Sequence, residues 1–354
     1  MKKVPCILSE KRRESGNPAP SKFMEAIERL WKIFIHYAKI AYITDNLHPK
    51  GFIIRKPMNQ RKRNFYNFIN NSQRGNPMLD YKRNPIPIIL VLYAICFAFR
   101  TIEYFIFRTD QTMIGEAFIH KLAGILLMGI SIPLFRYSWT EVGFTPVKVL
   151  RTILLGALLG AFVFTVGYGI EILIQSSTGN FSGLKFYVTS YSLLGNRGMQ
   201  SNLLFIMICI AGNMINVIME EGVFRGLFVQ LAEEKYSFPV ACILSSILFG
   251  VWHIMQPLRN VIDGNQSMAG AFMAGLILVV TSTLLGIQYC MLYKLTGSLW
   301  AGMTAHFVNN TTANLLHVVT STGVDELLSV RITIAQTLSF LIVLFFYISC
   351  NRKK

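Results

Sequence analysis

The sequence predicts an all-α fold, a polytopic bundle of about eight transmembrane helices, and three observations carry that prediction. Of its 354 residues, 53% are hydrophobic and only 15% are charged, against roughly 25% charged in soluble domains. The apolar residues fall in runs long enough to cross a hydrocarbon core, which takes about 20 helical residues. The formal net charge of +16 is gathered at one end: residues 1–84 hold 18 Lys and Arg against 6 Asp and Glu. A nucleic-acid binder would spread its basic residues over a domain surface, so no nucleic-acid partner is expected. The alternating pattern of a β-barrel is also missing.

Residues 1–84 read as a basic leader ahead of a membrane domain over 85–354. The apolar run after Met1-Lys2-Lys3 is too short for a secretion signal. Ile27, Leu30, Trp31, Phe34, Ala38 and Ala41 recur at helical spacing, opposite Arg29, Lys32, His36 and Lys39. That pattern predicts a basic amphipathic helix over about 24–43, suited to anionic membrane lipids; the alternative is a disordered tail with one transient helix. Residues 44–84, rich in Asn, Arg, Lys and Pro, read as a flexible linker.

Eight spans follow: Ile86–Phe107, Ala117–Phe135, Ile153–Gln175, Leu203–Leu231, Phe238–Met255, Ala269–Tyr293, Leu299–Val319 and Leu328–Cys350. Arg100 and Glu103 interrupt the first and His120 and Lys121 the second, and these four read as structural pairs between the two helices. An even number of spans, a basic leader and the Arg352-Lys353-Lys354 tail place both termini in the cytoplasm, at the cell membrane if the source is bacterial. Six cysteines are scattered without a CxxC pair, so they predict neither a disulfide framework nor a zinc site.

Ionisable side chains inside a bilayer are expensive and mark function by default. The fourth span carries Asn213, Asn216, Glu220, Glu221 and Arg225, the fifth Phe249 and His253, the seventh His306 and Asn310. Glu221 and Arg225 are one turn apart and can pair, which lowers the cost of burying either. Glu220 is turned about 100° away and is free to face the bundle. A turn near Tyr236 would set Glu220 and His253 each about 25 Å along their helices, at matching height. His306 and Asn310 share a face, and Asn314 and His317 extend it; those two read as structural.

Such a set suits general-base activation of water by Glu220 with His253, and oxyanion stabilisation by His306 and Asn310. Glu221 and Arg225 would support the site, and Phe249 reads as packing. Other hydrolase patterns are missing: there is no HExxH metalloprotease site and no GxSG-type serine site. Asp263 is the one aspartate between Asp110 and Asp325, which excludes a paired-aspartate protease.

Glu220-Glu221…Arg225, Phe249…His253 and His306…Asn310 resemble, in order, the EExxxR, FxxxH and HxxxN motifs of the CPBP membrane proteins. That family covers CAAX proteases and bacteriocin-processing enzymes, including type II CAAX prenyl proteases and the Abi proteins. Residues 139–146, Trp-Thr-Glu-Val-Gly-Phe-Thr-Pro, are similar to the segment that precedes the core in bacterial members, and the motif core lies within 202–320. The resemblance implies an intramembrane endopeptidase in which Glu220 and His253 activate water and His306 and Asn310 hold the oxyanion. The substrate would be a peptide or membrane protein. Members have been classed as metalloproteases, and two histidines and two carboxylates can bind Zn²⁺. A metal-free glutamate mechanism is favoured, because Arg225 compromises Glu221 as a ligand; a metal, if present, would sit on Glu220, His253 and His306. Two alternatives stay open: a non-catalytic immunity or membrane-binding protein on the same fold, and a proton-coupled transporter.

Overall fold

The computed structural model describes residues 82–111, 117–188 and 199–352. The expected amphipathic helix over about 24–43 lies outside the described residues. Pro85 opens α1 (Pro85–Ile102) from a position where its missing N–H costs nothing. A π-helical turn, Glu103–Phe107, carries that helix on. Then follow α2 (Ile119–Leu134), α3 (Val149–Ser177), β1 (Phe181–Phe186) and α4 (Leu203–Glu220). A second π-helical stretch, Glu221–Phe228, joins α4 to α5 (Val229–Glu233). The chain continues as α6 (Phe238–Trp252), α7 (Met255–Ile262), α8 (Met268–Thr296), α9 (Leu299–Leu315), β2 (Leu316–Thr320) and α10 (Leu328–Asn351).

The fold is the expected all-α bundle, and six helical stretches are long and apolar enough to span a membrane: Pro85–Gln111, Val149–Ser177, Leu203–Glu233, Phe238–Ile262, Met268–Thr296 and Leu328–Asn351. The second and seventh expected spans are helices too, but short. With 16 and 17 residues, α2 and α9 run about 25 Å at ~1.5 Å per residue, less than the hydrocarbon core. The seventh was expected to stay helical to Val319; instead the backbone turns extended at Leu316. There β-branched Val318, Val319 and Thr320 pair antiparallel with β1, a state that suits their stiff side chains. His317 therefore lies on a strand and does not continue the His306–Asn310 face.

Apolar side chains face outward as well as inward, unlike in a soluble bundle. Phe272, Leu276, Val280 and Leu284 of α8, and Leu122, Leu126 and Ile130 of α2, are exposed, as lipid-facing stripes at helical spacing should be. Two apolar clusters form the interior. One joins α1, α2, the π-helical stretch and α6; the other joins α3, α8, α9 and α10. Gly297, at φ 66°, ends α8, and the Ser298 hydroxyl then accepts from the Trp300 N–H at 3.3 Å to cap α9. Residues 139–146 brace this corner: Gly143 O accepts from Leu299 N at 2.9 Å and Thr145 O from the Trp300 indole at 2.9 Å.

The contact of α3 with α9 depends on glycine. A Cβ built on Gly156 would meet Ala301 O at 2.2 Å, and one on Gly160 would meet Val308 Cγ1 at 2.6 Å. Small residues let membrane helices approach this closely. Gly156→Ala is expected to push α9 off α3 and cost about 1–3 kcal/mol. Thermal unfolding in detergent checks this; an unchanged midpoint would mean that α9 shifts without penalty.

Candidate active site

Three elements bring polar side chains to one cavity of about 420 Å³, lined among others by Glu220, Phe249, His253, His306 and Asn310. Its lining is drawn from α1, α2, α4, α6, α8, α9 and α10, so the cavity lies among these helices. The turn between α5 and α6 falls over residues 234–237, which include the expected Tyr236, and Glu220 and His253 line the same cavity.

Glu220 is the last α-helical residue before the π-helical stretch, and Glu221 the first residue within it. Such bulges recur at functional sites, where they re-aim neighbouring side chains. The two glutamates here have different partners. The Glu220 carboxylate accepts from the Trp252 indole N–H at Oε1 (3.1 Å) and from the Asn216 amide at Oε2 (3.1 Å). Glu221 accepts from His306 Nδ1 at 2.8 Å and faces Arg225 Nε at 3.4 Å. Asn213, on the same stripe as Glu220, is turned to Cys209 instead, with its amide 3.5 Å from Sγ.

Arg225 is fully buried, and none of its nitrogens makes a hydrogen bond among the described residues. It is held by the Glu221 charge and by ring faces, with its guanidinium carbon 3.8 Å from the Phe249 centroid and 5.5 Å from that of Tyr289. Phe249 is thus more than packing: it covers Arg225 and also meets His253 edge-to-face at 4.8 Å.

Both histidines are oriented through Nδ1. His253 follows the last turn of α6, and its Nδ1 donates to Phe249 O at 2.8 Å, which leaves Nε2 as the lone-pair nitrogen of the neutral ring. His306 is fixed by Glu221 at Nδ1 and by stacking on Tyr289, centroids 5.0 Å apart at 17°. Its Nε2 lies 3.7 Å from Glu220 Oε2. Among the described residues, the imidazole within ion-pair range of Glu220 is therefore that of His306; His253 shares the cavity. Asn310 Oδ1 accepts from Asn309 Nδ2 at 3.0 Å, and Asn309 Oδ1 accepts from Gln336 at 3.1 Å. This ladder leaves the Asn310 amide hydrogens for the cavity.

A metal on Glu220, His253 and His306 would need all three to converge. Among the described residues no group of three or more His, Cys, Asp or Glu side chains does so, and these three do not form a ligand set.

Of Arg100, Glu103, His120 and Lys121, expected to pair between the first two helices, Glu103 and His120 do so. The Glu103 carboxylate accepts from the backbone N–H of Phe118 (2.8 Å), Ile119 (2.9 Å) and His120 (2.6 Å), and from His120 Nδ1 at 2.6 Å. It caps α2 from another helix. Arg100 and Lys121 also line the cavity, which the sequence reading missed. It missed Trp252 as well, although a buried indole N–H nearly always seeks an acceptor.

The fold and the site together define a polytopic membrane protein with a titratable cavity inside its bundle. Residues 202–312 match the family model of Rce1-like type II CAAX prenyl endopeptidases. That stretch holds every motif residue from Glu220 to Asn310, and the resemblance to the CAAX protease family holds over it. The family supports a CAAX-type intramembrane endopeptidase in general, and with the apolar helices it makes the chain an integral membrane protein. A comparison with curated proteins finds no match.

Proposed function

We propose that the protein hydrolyses a peptide bond inside the membrane, with water as the nucleophile. The observation that supports this most is the meeting of Glu220, His253, His306 and Asn310, from three helices, on one cavity roomy enough for a stretch of peptide. Glu220 takes a proton from water as the oxygen attacks the carbonyl carbon. His253, its Nε2 free for the cavity, orients that water and takes up the proton with Glu220. The Asn310 amide donates to the oxyanion of the tetrahedral intermediate, and His306 does so through Nε2 in its doubly protonated form, its Nδ1–H being held by Glu221. The C–N bond then breaks, and the proton held by Glu220 and His253 passes to the leaving amine. Glu221 and Arg225 keep His306 in place.

The reading includes both termini in the cytoplasm, the leader on anionic lipid, and a peptide or membrane-protein substrate. It also takes the reaction to be metal-free. Purified protein in detergent, offered a peptide library, should cleave as wild type and fail as Glu220→Gln and His253→Ala. Full activity in both variants ends the peptidase reading. Chelator-treated protein should keep full activity while elemental analysis finds no stoichiometric zinc; activity lost with zinc and restored by it would overturn the metal-free part.

A further inference from the structure

Arg100 sits on the cavity wall, only 6% exposed. A guanidinium buried so deeply normally meets a carboxylate, because an unpaired charge is costly to bury. Arg100 pairs with no carboxylate among the described residues. Its one hydrogen bond runs from Nη2 to the Tyr104 hydroxyl at 3.3 Å, and its buried Nε has no partner. Aromatic rings hold it in place, with the guanidinium carbon 4.4 Å from the Trp252 centroid and 5.0 Å from that of Tyr104. Beyond the bond to Tyr104, none of its N–H donors has an acceptor among the described residues.

The acids nearby are already engaged. Both oxygens of Glu220 accept from neutral donors, Trp252 and Asn216. Glu103 is taken up by His120, Thr109 and the amides that open α2. Lys121 adds a second cation to the same wall. The cavity thus offers positive charge that the bundle itself leaves without a contacting anion at Arg100.

We propose that Arg100 forms a carboxylate subsite of the substrate cavity. This rests on the peptidase reading: an unmodified peptide carries negative charge only as carboxylates, at its C-terminus or on Asp and Glu side chains. A planar carboxylate matches the edge of a guanidinium through two parallel N–H···O bonds. Trp252 places the subsite close to the chemistry, since its N–H holds Glu220 and its ring face carries Arg100. The anion recognised therefore lies near the scissile bond.

The test is binding rather than turnover. Full-length Glu220→Gln protein in detergent is titrated with three N-acetylated apolar hexapeptides: one with a free C-terminus, one amidated, and one amidated with a single internal Glu. At least one acidic peptide should bind about tenfold or more tightly than the neutral one, the scale of one charge-assisted hydrogen bond. Arg100→Gln in the same background should erase that gain and Arg100→Lys should keep part of it. The acidic peptide that shows the gain identifies the source of the carboxylate. Equal binding of all three, no binding by any, or an acid preference that survives Arg100→Gln overturns the subsite. Hydrolysis plays no part in this readout, so activity surviving in Glu220→Gln would sink the peptidase reading separately.

Discussion

Glu220→Gln is expected to lower peptide hydrolysis by about 10²–10⁴-fold, the usual contribution of a general base, and to leave the fold intact. Glutamine has nearly the same volume. Its amide oxygen can still accept from the Trp252 indole, which now donates at 3.1 Å. The ability to take a proton is lost, together with the charge and the acceptor that meets the Asn216 amide. Glu221→Gln should behave differently. It removes the one ion-pair partner of Arg225 among the described residues, a guanidinium with no hydrogen bond there and no exposure, and so should show first as a fall in unfolding temperature. Trp252→Phe gives a third pattern. The ring still packs between Phe224, Phe97 and Tyr93, but Glu220 loses one of its two anchors, and kcat should fall about tenfold with KM changed less. Initial rates and thermal midpoints on the same preparations separate the three. Equal activity loss in Glu220→Gln and Glu221→Gln, with equal destabilisation, would mean that both glutamates only hold the bundle together.

The motif residues were legible because a carboxylate or an imidazole stands out in an apolar helix, and because hairpin geometry fixes depth by residue count. Glu220 and His253 were aligned by that counting alone. The partners were not legible, for physical reasons. Trp252 reads as apolar in any hydropathy pattern, although it binds Glu220 through its one polar atom. The π-helical stretch Glu221–Phe228 leaves no compositional trace, since it differs from an α-helix only in which carbonyl each N–H reaches. Arg100 was grouped with Glu103 by sequence proximity, whereas Glu103 is consumed capping α2. The end of α9 was hidden because Leu316, Val318 and Val319 are as apolar as the helix before them; only β-branching hinted at the strand.

Arg331→Leu is expected to be the most destabilising single change at the end of the bundle where β2 lies, by about 3–5 kcal/mol, the cost of stripping a buried ion pair of one partner. Arg331 is fully buried near the start of α10. It donates through Nη1 to Glu171 of α3, and to Asp325 through Nη1 at 3.2 Å and Nη2 at 2.6 Å. Asp325 in turn binds His317 Nδ1 at 3.0 Å. His317 Nε2 meets Tyr187 O at 3.1 Å, and its ring stacks on Tyr187 with centroids 4.0 Å apart. One arginine thus ties α3 and α10 to the strand pair. Burial works against ionising Asp325, but hydrogen bonds from His317 and Arg331 outweigh it and hold its carboxyl below the usual carboxylate range. A carboxyl depressed in the folded state contributes stability above its unfolded pKa and loses it as the pH falls through the folded value. Wild-type protein should therefore keep this part of its stability until the pH is below the ordinary carboxylate range. In Arg331→Leu the titration of Asp325 should move up and acid loss should begin earlier. Glu171→Leu combined with Arg331→Leu replaces the α3–α10 ion pair by apolar contact and should recover part of the loss, Asp325 still lacking its cation. Unfolding midpoints of the three proteins across acid pH decide the matter; a single mutant as stable as wild type would show that α10 is held by apolar packing alone. Because Ile332, Thr333 and Gln336 of α10 also line the cavity, the single mutant should lose hydrolysis well below its unfolding temperature, and a purely local clamp would not.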